Sequence, residues 1–287
     1  MAADDAPERA TKPTAEGEAA GTPTPAPAPA TRDDERALIA AARTGDRRAV
    51  DALLARYEPS IYRFGLRMCG DEESAREVLQ ETMLAAFRHL GGFRGDAALS
   101  TWLYQIARSF CIKERRGVRP TTVLDEAVAD PAPAPDRAAH AREIGVALAA
   151  AIGALPAEQR EALVLRDVEG LSAEEAARVV GIEVGALKSR LHRARMALRE
   201  QLAGVMDART TEPCRELSHD LAAYAAADLD QSTCAIIEAH LAQCPHCAGA
   251  CDRLKRTVSL CRSIPGERVP PAVRDAVRAA ILDAIER

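Results

Sequence analysis

The chain has 287 residues, enough for about two ordinary domains, and its 38 Lys and Arg against 43 Asp and Glu leave a net charge of -5. That balance excludes a chain-wide attraction to polyanions, so any nucleic-acid surface must be local. No apolar run approaches the roughly 20 residues of a membrane span, and the acidic, Pro/Ala-rich start is unlike an export signal, so the chain reads as cytoplasmic with no membrane partner.

In chain order, residues 1–32 are dominated by Ala, Pro, Thr and Asp and read as a disordered tail, because they carry too little apolar surface to offset the entropy of ordering. The same composition returns over 117–137, which reads as a flexible tether. Ordered blocks are expected at 33–116, 138–204 and 212–287. Apolar residues recur in them at helical spacing, as in Val78, Leu79, Met83, Ala86 and Phe87, or Val273, Val277, Ala280, Ile281 and Ala284. Strand signals are scarce, and the expected fold class is all-α.

The first block holds eight of the nine aromatic residues. Tyr57, Phe64 and Phe87 sit on apolar helical faces and read as core. Trp102 and Tyr104 follow the Gly95-Asp96 loop and precede the basic run Lys113, Arg115 and Arg116, with Arg108 between. Flat rings beside cations suit unstacked bases on a phosphate backbone.

In the second block, Ser172 and Glu175 form a capping box that starts a helix at Ala173, and Gly181-Ile182-Glu183 supplies a short turn. The next helix, from about Gly185 to Leu202, has Leu187, Leu191, Ala194 and Leu198 on one face. Lys188, Ser189, Arg190, His192, Arg193, Arg195 and Arg199 are expected on the remaining surface. This is the pattern of a helix-turn-helix with a basic recognition helix. The competing reading is a solvated basic face on an ordinary bundle helix.

The third block carries six of the eight Cys. Cys214, His240, Cys244 and Cys247 have the spacing C-x25-H-x3-C-x2-C, in which three thiolates and one imidazole suit tetrahedral zinc, with copper as the alternative thiophilic metal. Cys234, His219, His246, Cys251 and Cys261 are spare donors, which leaves ligand exchange or disulfide chemistry open. Four protein ligands close the shell and Glu238 is the one adjacent carboxylate, so the cluster does not read as a catalytic centre and the chain does not read as an enzyme.

The segments Gly70 to Glu81 and Phe93 to Arg108 resemble region 2 of an extracytoplasmic-function (ECF) sigma factor, and Leu155-Pro156 with Leu171 to Ala197 resembles region 4. The third block is similar to a zinc-binding anti-sigma domain, including Leu221, Tyr224 and Leu229. The resemblance implies a promoter-specificity subunit whose partners are core RNA polymerase and promoter DNA. Glu77, Gln80 and Glu81 would face the polymerase. Residues 100–116 would capture the -10 element through Trp102, Tyr104, Arg108, Lys113, Arg115 and Arg116. Lys188, Ser189, Arg190, His192 and Arg193 would meet the -35 major groove. The chain departs from the family pattern at Glu77, at Ser109, and at Val184 with Ala186, where the usual N-cap oxygen is missing.

An anti-sigma-like block fused in cis implies self-regulation, with the last amphipathic helix (Val273, Val277, Ile281, Ile285) packing on region 2 or region 4 in a manner set by metal or redox state. Whether a separate anti-sigma factor also exists stays open. The rival reading is a repressor or activator that binds DNA without polymerase, which would have no use for the Phe93 to Arg116 segment.

Overall fold

The computed structural model describes residues 32–117, 135–204, 214, 217–264 and 268–286, and among them no strand occurs. The all-α expectation holds. The expected tail and tether fall outside the described residues except at their ends. There Arg32 opens one helix and Pro135 another.

The first block contains α1 (Arg32–Arg43), α2 (Arg47–Cys69), α3 (Glu72–His89) and α4 (Leu99–Gly117). Asp46 caps α2 by accepting from the Arg48 and Ala49 amides, and Asp71 caps α3 by accepting from Ser74. Between the two helices, a Cβ on Gly65 would meet the Ala75 Cα at 3.1 Å. Glycine at that point lets α2 and α3 pack almost backbone to backbone. Ile61, Phe64, Val78, Leu79 and Met83 fill the space on either side.

The second block contains α5 (Pro135–Ala154), α6 (Ala157–Leu163), α7 (Ala173–Val180) and α8 (Val184–Gln201). Ser172 and Glu175 make both hydrogen bonds of the expected capping box, and Gly181 ends α7 in the left-handed region at φ 76°. Leu187, Leu191, Ala194 and Leu198 of α8 are fully buried, and each leucine contributes about 1.5–3 kcal/mol. After α6 the chain runs through a π turn, Val164–Val168, in which the Glu169 amide donates to the Val164 carbonyl. Such widened turns accompany functional sites.

The third block contains α9 (Ser218–Ala225), α10 (Gln231–Leu241), α11 (Pro245–Arg262) and α12 (Pro271–Glu286). Leu221, Ala222, Ile237, Cys247, Cys251 and Leu254 form a small separate core. In contrast, Val273, Val277 and Ile281 of α12 join the large core shared by the first two blocks, and α12 lies on α3. The expected amphipathic helix therefore docks on the first block; the Ile285 side chain lies outside the described residues.

Candidate nucleic-acid interface and metal centre

In the first block, α4 turns Leu99, Leu103, Tyr104, Ala107 and Cys111 inward. Tyr104 was expected to face bases, and here the structure corrects the expectation. Its ring is buried against the edge of Phe64, with centroids 5.4 Å apart, and its hydroxyl donates to Glu169 of the second block at 2.8 Å. Burial, followed by the charge and hydrogen bond of Glu169, holds its pKa well above the usual phenol range. The reason is periodicity: Tyr104 shares the apolar stripe of Leu99, Leu103 and Ala107, while Trp102 stands at its margin. Trp102 is half-buried beside Phe93, with centroids 5.3 Å apart. It also lines an apolar cavity with Leu53, Tyr57, Met83 and Phe87.

Arg108 is half-buried and donates to Glu161. Lys113 is exposed, and the Arg115 and Arg116 side chains lie outside the described residues. The residues expected at the -10 element are thus partly occupied by carboxylates of the second block. Glu169 completes the closure, taking Arg63 Nε at 2.7 Å and Nη2 at 2.6 Å, while Gln105 donates to the Arg178 carbonyl. On α3, Glu77 and Glu81 are exposed and Gln80 is half-buried. The Glu114 carboxylate nearby raises the Glu77 pKa.

Along the recognition helix, Arg193 is exposed, and Ser189 and His192 are half-buried. Ser189 donates back to the Gly185 carbonyl at 3.1 Å. Arg190 pairs with Glu158 at 3.0 Å, and Lys188 reaches the Asp228 carbonyl at 3.0 Å. Glu183 stands at the N-cap without a side-chain capping bond, as the absence of a Ser or Thr in the turn leads one to expect. Arg195, expected on the basic surface, is turned inward instead. It is 2% exposed and bidentate to Asp167 at 2.8 Å for both bonds, with Asp228 at 3.1 Å. Burial opposes its charge, yet the two carboxylates outweigh that penalty and its pKa is raised. Asp167 itself is fully buried. A lone carboxylate in the apolar run Leu163-Val164-Leu165-Arg166-Asp167-Val168 was the sequence signal for a buried partner.

The four expected metal ligands do converge. The Cys214, Cys244 and Cys247 sulfurs and a His240 ring nitrogen all lie within 4.8 Å of one another. His240 lies in the last turn of α10 and Cys244 precedes Pro245 at the first turn of α11, so one short corner carries both. Hydrogen bonding, first from the Cys247 backbone, brings the Cys244 thiol down to about 6, whereas the neighbouring Cys247 and Cys244 side chains push Cys214 up to about 11. A thiolate already favoured at one position among four soft donors fits a thiophilic cation. Of the spare cysteines, Cys251 and Cys261 are buried and Cys234 is half-buried. Cys261 lies in the shared core, where burial raises its thiol to about 12. Among the described residues, this is the one grouping of at least three His, Cys, Asp or Glu able to hold a metal ion. Metal analysis of the purified chain is expected to give about one ion per molecule, and near none for Cys247→Ser, since loss of a buried thiolate opens the shell.

Comparison with known proteins matches these parts separately. Residues 53–120 match the sigma-70 region 2 model, 145–198 the sigma-70 region 4 model, and 214–248 a putative zinc-finger model. The RNA polymerase sigma-H factor of Pseudomonas aeruginosa is 37% identical over 185 residues, covering 60% of this chain and 95% of that protein. The ECF RNA polymerase sigma factor SigM of Mycobacterium tuberculosis is 38% identical over 163 residues, covering 56% of this chain and 81% of SigM. Among solved structures, CnrH in complex with the cytosolic domain of CnrY aligns with a TM-score of 0.47 and 28% identity, over 59% of this chain and 97% of that one. No described helix is long and apolar enough to cross a membrane.

Proposed function

The chain belongs to the ECF RNA polymerase sigma factors, and on that premise we propose that it directs promoter-specific transcription initiation while its own third block restrains it. The first block (33–116) engages core polymerase through Glu77, Gln80 and Glu81 and the -10 element through Trp102, Arg108, Lys113, Arg115 and Arg116. The second block (138–204) reads the -35 element through Lys188, Ser189, Arg190, His192 and Arg193. The protein acts in the cytoplasm and contributes specificity to the polymerase, with no catalytic chemistry of its own.

The observation that carries the restraint is the docking of α12. Val277 of α12 is fully buried, α12 packs on α3, which bears Glu77, Gln80 and Glu81, and Arg274 of α12 stands 3.5 Å from Glu58 of α2. Burial raises the Glu58 carboxyl, and Arg274 and Arg278 pull it back. The tether makes this contact intramolecular, so a weak interface holds at an effective concentration in the millimolar range. Cys214, His240, Cys244 and Cys247 would hold a zinc ion, and their shared ligation would tie α10 to α11 and with them the position from which α12 reaches the first block. Release of α12 and separation of Tyr104 and Arg108 from Glu169 and Glu161 precede promoter opening.

Run-off transcription with bacterial core polymerase on genomic fragments tests the reading. Chain-dependent transcripts, stronger after chelation than with metal bound, are the expected result. Absence of any start in both states overturns it. Tight operator binding without polymerase would favour the rival repressor.

A further inference from the structure

Three cationic side chains of the second block converge on one turn of the third. Arg166, from the π turn, donates to Asp228 Oδ1 through Nε at 2.9 Å and Nη2 at 2.6 Å. Arg195 Nη2 reaches Asp228 Oδ2 at 3.1 Å, and its Nη1 reaches the Ala222 carbonyl at 3.2 Å. Lys188 Nζ takes the Asp228 carbonyl at 3.0 Å, and Arg166 Nη2 also reaches the Ala226 carbonyl at 3.4 Å. Among the described residues of the second block, the carboxylate paired with these cations is Asp167, which is spent on Arg195. Three positive charges against one negative leave an anion site, and every group the third block offers to it is an oxygen acceptor.

Ala227 adopts φ 59°, the one non-glycine among the described residues with positive φ. A residue with a Cβ holds that conformation only where its surroundings over-determine it. On either side of it, the Ala226 carbonyl and both Asp228 carboxylate oxygens are held by arginines, Arg262 of α11 adding a further bond to the Ala226 carbonyl at 3.3 Å. The strain thus sits where the acceptors are presented.

We propose that Arg166, Lys188 and Arg195 form a binding site for a DNA backbone phosphate, and that Asp228 with the carbonyls of residues 222–228 occupies it as an internal substitute. The inference rests on the sigma-factor reading for the identity of the polyanion. It goes beyond that reading in assigning Arg166 and Arg195 to DNA and in making duplex and third block compete for one set of cations. A phosphate presents what the turn presents: two anionic oxygens for the arginine forks and further acceptors for the lysine. Capture of the duplex by the second block and undocking of the α9–α10 turn become a single exchange, separate from the exposed base-reading position at Arg193.

The test is fluorescence anisotropy of a labelled mixed-sequence duplex of about two helical turns, titrated with the full chain over a range of salt. Asp228→Asn keeps the shape and removes the charge. It is expected to tighten duplex binding about tenfold and to steepen the log-log salt dependence by about one, for the one phosphate gained. Adding Arg166→Gln to Asp228→Asn is expected to return most of the gain in affinity and slope. Native affinity and slope in Asp228→Asn, or a gain that Arg166→Gln leaves untouched, overturns the proposal. Hydrogen exchange on the unmodified chain gives a readout that needs no variant: saturating duplex is expected to speed exchange of the Ala227 and Asp228 amides, and unchanged protection refutes competition. Run-off transcription by the same preparation is scored separately, because failure to initiate there would remove the sigma reading while leaving the phosphate site standing.

Discussion

Substitution of Val277 by Asp is expected to raise transcript yield from the full chain with core polymerase by about tenfold or more. Val277 is fully buried where α12 meets the first block. A carboxylate there replaces a fully buried apolar side chain, and burying it costs roughly 3–5 kcal/mol. Since each 1.4 kcal/mol is a factor of about ten, the docked population collapses even against the advantage of tethering. The first two blocks keep their own core of Phe64, Leu79, Leu163 and Leu191, so circular dichroism is expected to show most of the native helix. An unchanged yield from a chain whose α12 has become protease-sensitive would show that docking on α3 does not restrain initiation.

Replacing Asp167 by Ala is expected to have the largest effect on stability. The Arg195 guanidinium is 2% exposed and its two bonds to Asp167 are both 2.8 Å long. Removal of one partner leaves a buried charge with Asp228 as its remaining carboxylate, already shared with Arg166. Breaking such a pair costs about 3–5 kcal/mol, which for a chain of this size lowers Tm by roughly 6–20 °C. The paired replacement Asp167→Leu with Arg195→Met removes both charges and is expected to lose far less, because neither desolvation cost then remains. Equal losses in the two variants, measured by thermal unfolding, would mean that packing around the pair sets the stability and its charges do not.

Much of the fold was legible because its determinants are local. The Ser172–Glu175 box, the left-handed Gly181 and the four-three-four stepping of Leu187, Leu191, Ala194 and Leu198 each follow from the conformation of one helix or one turn. The metal cluster was legible for the same reason over three of its ligands, His240, Cys244 and Cys247, which occupy a single corner between helices. Cys214 is separated from His240 by 25 residues in the spacing, and the structure brings its sulfur within 4.8 Å of the other three ligand atoms. Tyr104 was misplaced by reading aromatic-plus-basic composition ahead of periodicity, since its spacing from Leu99, Leu103 and Ala107 already marked an inward face.

What the amino-acid order determined by itself is the set of parts: helical blocks, a helix-turn-helix, a thiol-rich corner and an amphipathic final helix. Tertiary structure alone decided which parts restrain one another. Arg63 meets Glu169, Arg108 meets Glu161, Arg195 turns inward to Asp167, and Asp228 takes up Arg166 and Lys188. The physical reason is separation along the chain. A hydrogen bond within one helical turn is specified by the few residues that make it, whereas a carboxylate and an arginine on different blocks are indistinguishable from solvated surface charges until the apolar faces beneath them have chosen how to pack.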